Sequence, residues 1–239
     1  AAGAFALSPQ AWAQAASPAS APASSNMDGE LFYQLLLGEL EVRGGDPGAG
    51  YSLVLDAARR TQNPQLYRRA VEIALQARSG DAALGAANAW AESNKDSSEA
   101  LRYKLQILLA LNRVTETGPV LRKLVERAPV ANRNDAINSI PQIFSRVPDK
   151  ALALQVVREA LAPSLKSAAH SAAAWTTIGF MELADNQLPQ ALTSARSGHA
   201  AEPASAFPAL LAQSLGARAQ TTEPPLDAGE VGRYFMRIE

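Results

Sequence analysis

Residues 175–203 read WTTIGFMELADNQLPQALTSARSGHAAEP, and the spacing of a few of them decides the fold. Trp175 and Ile178 are large, apolar and about one helical turn apart, and Gly179 follows directly; Ala191 and Pro203 belong to the segment after the turn. The large residues fill the space between two helices, while Gly179 and Ala191 are small enough to let the two backbones approach closely. Pro203 stops the second helix, because it has no N–H and its ring collides with the preceding turn. The segment predicts one helix pair of a repeat in which each unit touches only its neighbours.

The same pattern recurs with varying clarity. Leu37-Gly38 matches Ile178-Gly179 and puts Gly50, Val54 and Ala57 on a second helix, beyond the turn Gly44-Gly45-Asp46-Pro47. Ile73-Ala74 pairs with Ala86 and Trp90 across Ser79-Gly80-Asp81, and the step from Gly38 to Ala74 is close to a period of ~34 residues. Thr117, Leu121, Leu124 and Pro129 read as a second helix and its stop, although Lys104 falls where the preceding helix should carry Leu. A fourth pair runs from Asn132 to Ala162 with Pro148-Asp149 as its turn and Pro163 after its end; Ile140-Pro141 should kink or split its first helix. Ala204 to Arg218 reads as another first helix, Thr221 to Pro225 as a loop, and Glu230 to Glu239 as the start of an element the chain does not complete.

Trp175, Ile178, Gly179, Ala191 and Pro203 together resemble the tetratricopeptide (TPR) signature W-x2-L-G…A-x3-F…P. Ile178 replaces Leu, Glu182 stands where Tyr is usual, and Ala195 where Phe is usual. Periodicity supports helices independently: Leu31, Leu35, Leu36 and Leu40 recur three and four apart, as do Tyr67, Ala70, Val71 and Ala74, and Leu101, Leu105, Leu108 and Leu109. Asp28, Asp81 and Ser98 are placed to cap helix starts. The expected fold is all-α, a TPR-like solenoid of about five antiparallel helix pairs plus a partial further repeat. The repeat places Trp90 and Trp175 between helices, in the core.

The repeat domain is expected over residues 28–239 as one solenoid truncated at its C-terminal end, preceded at 1–27 by a signal-peptide remnant and a flexible tether. Ala1 to Leu7 is a small apolar run, Ala13-Gln14-Ala15 fits the A-x-A pattern that signal peptidase cleaves, and Ser17 to Asn26 is rich in Ser, Pro and Ala. A net charge of -1 gives no footprint for nucleic acid, and no apolar run approaches the ~20 residues of a membrane span. The absence of Cys is neutral on compartment but excludes thiol catalysis and Cys-ligated metal within the chain.

No cofactor, metal or catalytic constellation is legible. His170 and His199 lie on different expected helices without HExxH-type spacing, and neither a GxSxG elbow nor a GxxxxGK[ST] loop is present. Gly44, Gly45 and Gly48 lie between helices with no strand before them, so they read as a turn rather than a phosphate cradle. The chain is expected not to be an enzyme.

A stack of this kind offers a surface instead, with first helices lining a concave face that can hold a peptide or a partner's helix. In this register the partner-facing residues are Phe32, Leu35 and Glu39, then Arg68, Val71 and Leu75, and later Thr176 and Phe180. Arg102, Gln106, Asn134 and Asn138 join them in the third and fourth units. Phe32 to Glu39, Ala57 to Pro64 and Arg69 to Ala74 are, in addition, similar to the start of proteobacterial envelope TPR proteins. Some of these are lipoproteins that act as adaptors for carboxy-terminal processing proteases and their cell-wall hydrolase substrates. That resemblance implies an exported, periplasmic scaffold whose protein partner is a protease or its substrate, with outer-membrane association as a variant. A generic assembly factor for secretion, pili or polysaccharide export is one alternative. The regulatory or substrate-binding half of an enzyme whose catalytic domain lies beyond residue 239 is another.

Expressed with its native start, the exported protein should begin near Ala16. Amino-terminal sequencing of the periplasmic fraction checks this, and an uncut segment in exported protein would contradict it.

Overall fold

The computed structural model describes residues 29–219. Within them the chain forms twelve α-helices and two short 3-10 turns, with no strand. α1 (Gly29–Gly44) pairs with α2 (Pro47–Thr61), α3 (Pro64–Gln76) with α4 (Gly80–Ser93), and α5 (Ser98–Ala110) with α6 (Thr117–Arg127). Two short helices, α7 (Arg133–Asn138) and α8 (Ile140–Ile143), stand where the fourth unit needs one first helix, and α9 (Lys150–Leu165) follows. α10 (Ser171–Ala184) pairs with α11 (Leu188–Ala201), and α12 (Ala206–Ala219) packs on both. The fold is an all-α, TPR-like solenoid of antiparallel helix pairs. The loop at Thr221, the element at Glu230 and the segment 1–27 lie outside the described residues.

Tight turns allow each helix to fold back on the last. Gly45 has φ +96°, and Gln62, Arg78, Asn112 and Asn186 hold left-handed backbone just after α2, α3, α5 and α10. Side chains of Asp46, Asn63, Ser97 and Asp149 accept first-turn N–H groups at 2.9, 2.9, 3.1 and 2.9 Å and start α2, α3, α5 and α9. Two expected caps are thereby displaced. Ser97, still extended, caps α5, because Ser98 is already helical; Asp81 lies inside the first turn of α4, whose cap position is Ser79. Asp28 lies outside the described residues.

The prolines of the fourth unit act through the carbonyls they leave free. Pro141 cannot bond the Ile137 carbonyl four residues back, and that oxygen accepts the Thr177 hydroxyl of α10 at 2.9 Å. The first helix is accordingly split into α7 and α8, as the sequence implies. Pro163, expected beyond the end of its helix, lies inside α9. The Glu159 carbonyl it leaves unbonded accepts Arg122 Nη2 from α6 at 2.9 Å, so the last turn continues without an orphaned acceptor.

Small residues bring the paired backbones together. A Cβ on Gly50 would lie 2.6 Å from the Gly38 carbonyl oxygen and also meet Val42. One on Gly179 would strike Leu211 and stand 3.1 Å from Ser194 Cβ. Around these contacts a continuous core runs from α2 to α10, holding Tyr67, Trp90, Phe144 and Leu161; a second cluster joins α10, α11 and α12 through Leu183, Ala195, Leu211 and Leu215. Trp90 is fully buried, its ring centroid 5.5 Å from that of Tyr103. Trp175, expected in the core, is only half-buried, because Ser171 and Trp175 lie on a side of α10 that its neighbours leave partly open.

Gly50→Ala should cost about 1–3 kcal/mol, because the new methyl meets the Gly38 carbonyl oxygen as well as the Val42 side chain, and the backbone cannot turn away. Gly44→Ala, whose Cβ would meet nothing within 4 Å, should stay within about 0.5 kcal/mol. Denaturant midpoints of the two variants decide this; equal midpoints would contradict the close approach of α1 and α2.

Candidate functional site

Among the described residues no group of three or more His, Cys, Asp or Glu side chains is placed to hold a metal, and no helix is long and apolar enough to cross a membrane. His170 is buried, and its Nδ1 lies 2.8 Å from Asn134 Oδ1. The candidate site lies on the surface that the helix pairs leave open, and its geometry follows from which residues the packing of successive units uses up.

Several polar residues expected to meet a partner instead join a first helix to the next one or to the turn that leads into it. Arg69 of α3 grips Glu39 of α1 with both arms, Nε to Oε1 at 2.6 Å and Nη2 to Oε2 at 2.7 Å. Arg68 reaches forward to Glu99 of α5 at 3.1 Å and also bonds Gln65. Asn134 of α7 donates to the Ala169 carbonyl at 3.3 Å, beside its contact with His170. Each link spans roughly one repeat length, and sequence spacing alone does not separate such a clamp from a docking position. The Arg69 guanidinium holds the Glu39 carboxyl below the usual carboxylate range, with partial burial acting in the opposite direction.

Two expected surface residues are buried. Val71 is 0% exposed, since the face Tyr67, Ala70, Val71 and Ala74 is enclosed between α2 and α4. Thr176 is 1% exposed and bonds its own helix at the Ala172 carbonyl, because α11 comes so close that a Cβ on Gly198 would lie 3.2 Å from its hydroxyl. Neither can touch a partner in this conformation. Asn138 is half-buried, and both polar atoms of its amide lack a partner among the described residues. Phe180 is half-buried against the second cluster.

Phe32, Leu35, Leu75, Arg102 and Gln106 remain partly or fully accessible. Phe32 belongs to a row on α1 that includes Leu36 and Leu40, which are 57%, 46% and 55% exposed in that order. With Leu35, Glu39 and Arg43 they line an open cleft of about 390 Å³. Leu36 and Leu40 carry helical periodicity in the sequence, but periodicity does not distinguish a face covered by a neighbour from one at the start of a stack. The sequence also gives little warning of Glu182: it is 3% exposed and accepts Arg158 of α9 at 2.5 Å and Ser194 of α11 at 2.6 Å. Its departure from the repeat signature is a polar joint between three helices.

No family model and no curated protein sequence matches the chain. Among solved structures it is similar to residues 41 to the end of MamA from Desulfovibrio magneticus RS-1, with 20% identity over 73% of this chain and 92% of that one and a TM-score of 0.38. It is also similar to PilW, described as a widely conserved type IV pilus biogenesis factor, with 17% identity over 89% and 93% of the two chains and a TM-score of 0.40. The C-terminal part of a TPR repeat-containing protein from Cytophaga hutchinsonii gives 15% identity, coverage of 85% and 77%, and a TM-score of 0.40. The assignment of the fold rests on the helix pairs themselves.

The Glu39–Arg69 clamp fixes a sign for the acid limb of stability. The lowered Glu39 pKa means that its contribution is present above the ordinary carboxylate range and is lost as pH falls through that range to the lowered value. Both side chains are about one-third exposed, so Glu39→Gln should cost less than ~1 kcal/mol at pH 7, and the gap to wild type should close in acid. Urea midpoints at neutral and acid pH measure it; a gap that does not change with pH would remove the clamp.

Proposed function

We propose that the chain is a non-enzymatic scaffold that binds a partner protein through its first helices. One observation carries this reading: the row Phe32, Leu36 and Leu40 on α1 stays open to solvent and lines a cleft. Contiguous exposed apolar surface of this kind is a marker of interaction sites. Glu39, clamped by Arg69, and Arg43 give the cleft a polar rim. Repeat arrays gain large binding faces in the same way, by presenting equivalent helices side by side.

The setting we infer is the periplasm, and the partner an envelope carboxy-terminal processing protease or one of its substrates. The support is the sequence likeness of Phe32 to Glu39, Ala57 to Pro64 and Arg69 to Ala74 to envelope TPR adaptors, together with the A-x-A site at Ala13 to Ala15. Phe32 is thus both part of the likeness and part of the exposed row.

Affinity capture from envelope extract with mass spectrometry tests the reading. Wild type should retain a processing protease or its substrate, and Phe32→Ala combined with Leu36→Ala should weaken retention by ~1 kcal/mol or more while leaving helical circular dichroism intact. Lys123→Ala, an exposed change on α6, should be nearly neutral. Retention unchanged by the α1 pair, or lost with Lys123→Ala, would contradict docking on α1.

A further inference from the structure

The split in the fourth unit opens a second cleft. In the other pairs a first helix of 13 to 16 residues covers the flank of its neighbours, whereas α7 and α8 have only 6 and 4. A cavity of about 320 Å³ is left between α5, α6 and this broken helix. Its floor is apolar, built from Leu105, Leu121 and Val125, with Leu124 half-buried and Ile143 40% exposed at its edge.

Polar groups on the rim point to the chemistry of an occupant. Among the residues lining the cavity Arg102 alone carries charge, and it forms no ion pair or hydrogen bond among the described residues. This differs from Arg68 one repeat earlier, which is held by Glu99. The side-chain amides of Gln106 and Asn132 likewise make no hydrogen bond among the described residues, and both residues are exposed. Apolar walls, one unopposed cation and two unengaged amides fit a peptide segment: its apolar side chains fill the floor, one carboxylate meets Arg102, and its main-chain N–H and C=O groups pair with the amides. A fatty acid would match the walls and the cation but leave the amides unused.

We propose that the cleft between α5, α6 and α8 binds a partner segment in which apolar residues accompany a single acidic residue, with Arg102 as the charge anchor. This rests on the reading of the chain as a protein-binding array and adds the partner's chemistry and a second place of contact. Leu75, exposed on α3, and the row on α1 lie outside this cleft.

The test uses the full chain and a panel of immobilised nonapeptides in which Leu-Leu, Phe-Leu or Ile-Val precedes one glutamate, each with a glutamine twin. At least one glutamate peptide should bind wild type, and its twin should bind about three- to five-fold more weakly, the upper part of the range of an exposed ion pair. In Arg102→Gln, folded by circular dichroism, the twins should bind alike, and Ile143→Lys should abolish binding of both. The inference is overturned if no peptide binds, if wild type does not distinguish the twins, or if Arg102→Gln retains the preference. Displacement of the peptides by sodium octanoate at equal concentration would overturn it in favour of a lipid ligand. Failure here with capture through α1 intact strikes this inference alone, and peptide binding without capture through α1 strikes the preceding reading alone.

Discussion

The close approach of α1 and α2 at Gly38 and Gly50 is the constraint on which the array depends. With 2.6 Å between the Gly38 carbonyl oxygen and the place a Gly50 Cβ would occupy, there is no room for any side chain. The same economy holds at Gly179 and Gly198, and elsewhere fully buried alanines such as Ala57, Ala86, Ala100 and Ala191 serve the purpose. Helices packed this closely bury enough apolar surface between neighbours to hold short elements that would fray alone. Stability is then shared along the chain, since most helices are held by the next and α9, following the short α8, packs on α6 and α10.

Close packing also explains the allotment of polar residues. Arg68, Arg69 and Glu39 link one first helix to the next, Asn134 ties α7 to the turn before α10, and Glu182 joins α9, α10 and α11 from a buried position. Such links align successive units more than they stabilise them, because the exposed pairs are screened by water. What they leave over is as informative. Among the described residues Arg102 has no Glu99 of its own, and no helix lies across the apolar row on α1.

Much of the fold is legible in the sequence because its determinants are local. Gly50, Val54 and Ala57 fall on α2 as the repeat spacing requires, and Ile140-Pro141 splits its helix because a proline there cannot make the backbone bond. Pro163 shows the limit of local reasoning: its disruption is absorbed by Arg122, a residue from another helix that no local pattern announces. The surface is less legible for the same reason. Val71 and Thr176 share helical positions with accessible residues, and only the packing of α2 and α4 around one and of α11 against the other hides them. Glu39 and Arg68 have the exposure and charge of contact residues, yet their partners are in the chain itself.

The central claim, that first helices present the docking surface, is tested most directly by amide hydrogen exchange of the chain with and without its captured partner. The account predicts added protection concentrated on α1 and on α5 with α7, α8 and the flank of α6 that they face, and little change along α4 and α9. Protection confined to the second helices, with α1 and α5 exchanging as in the free chain, would contradict it.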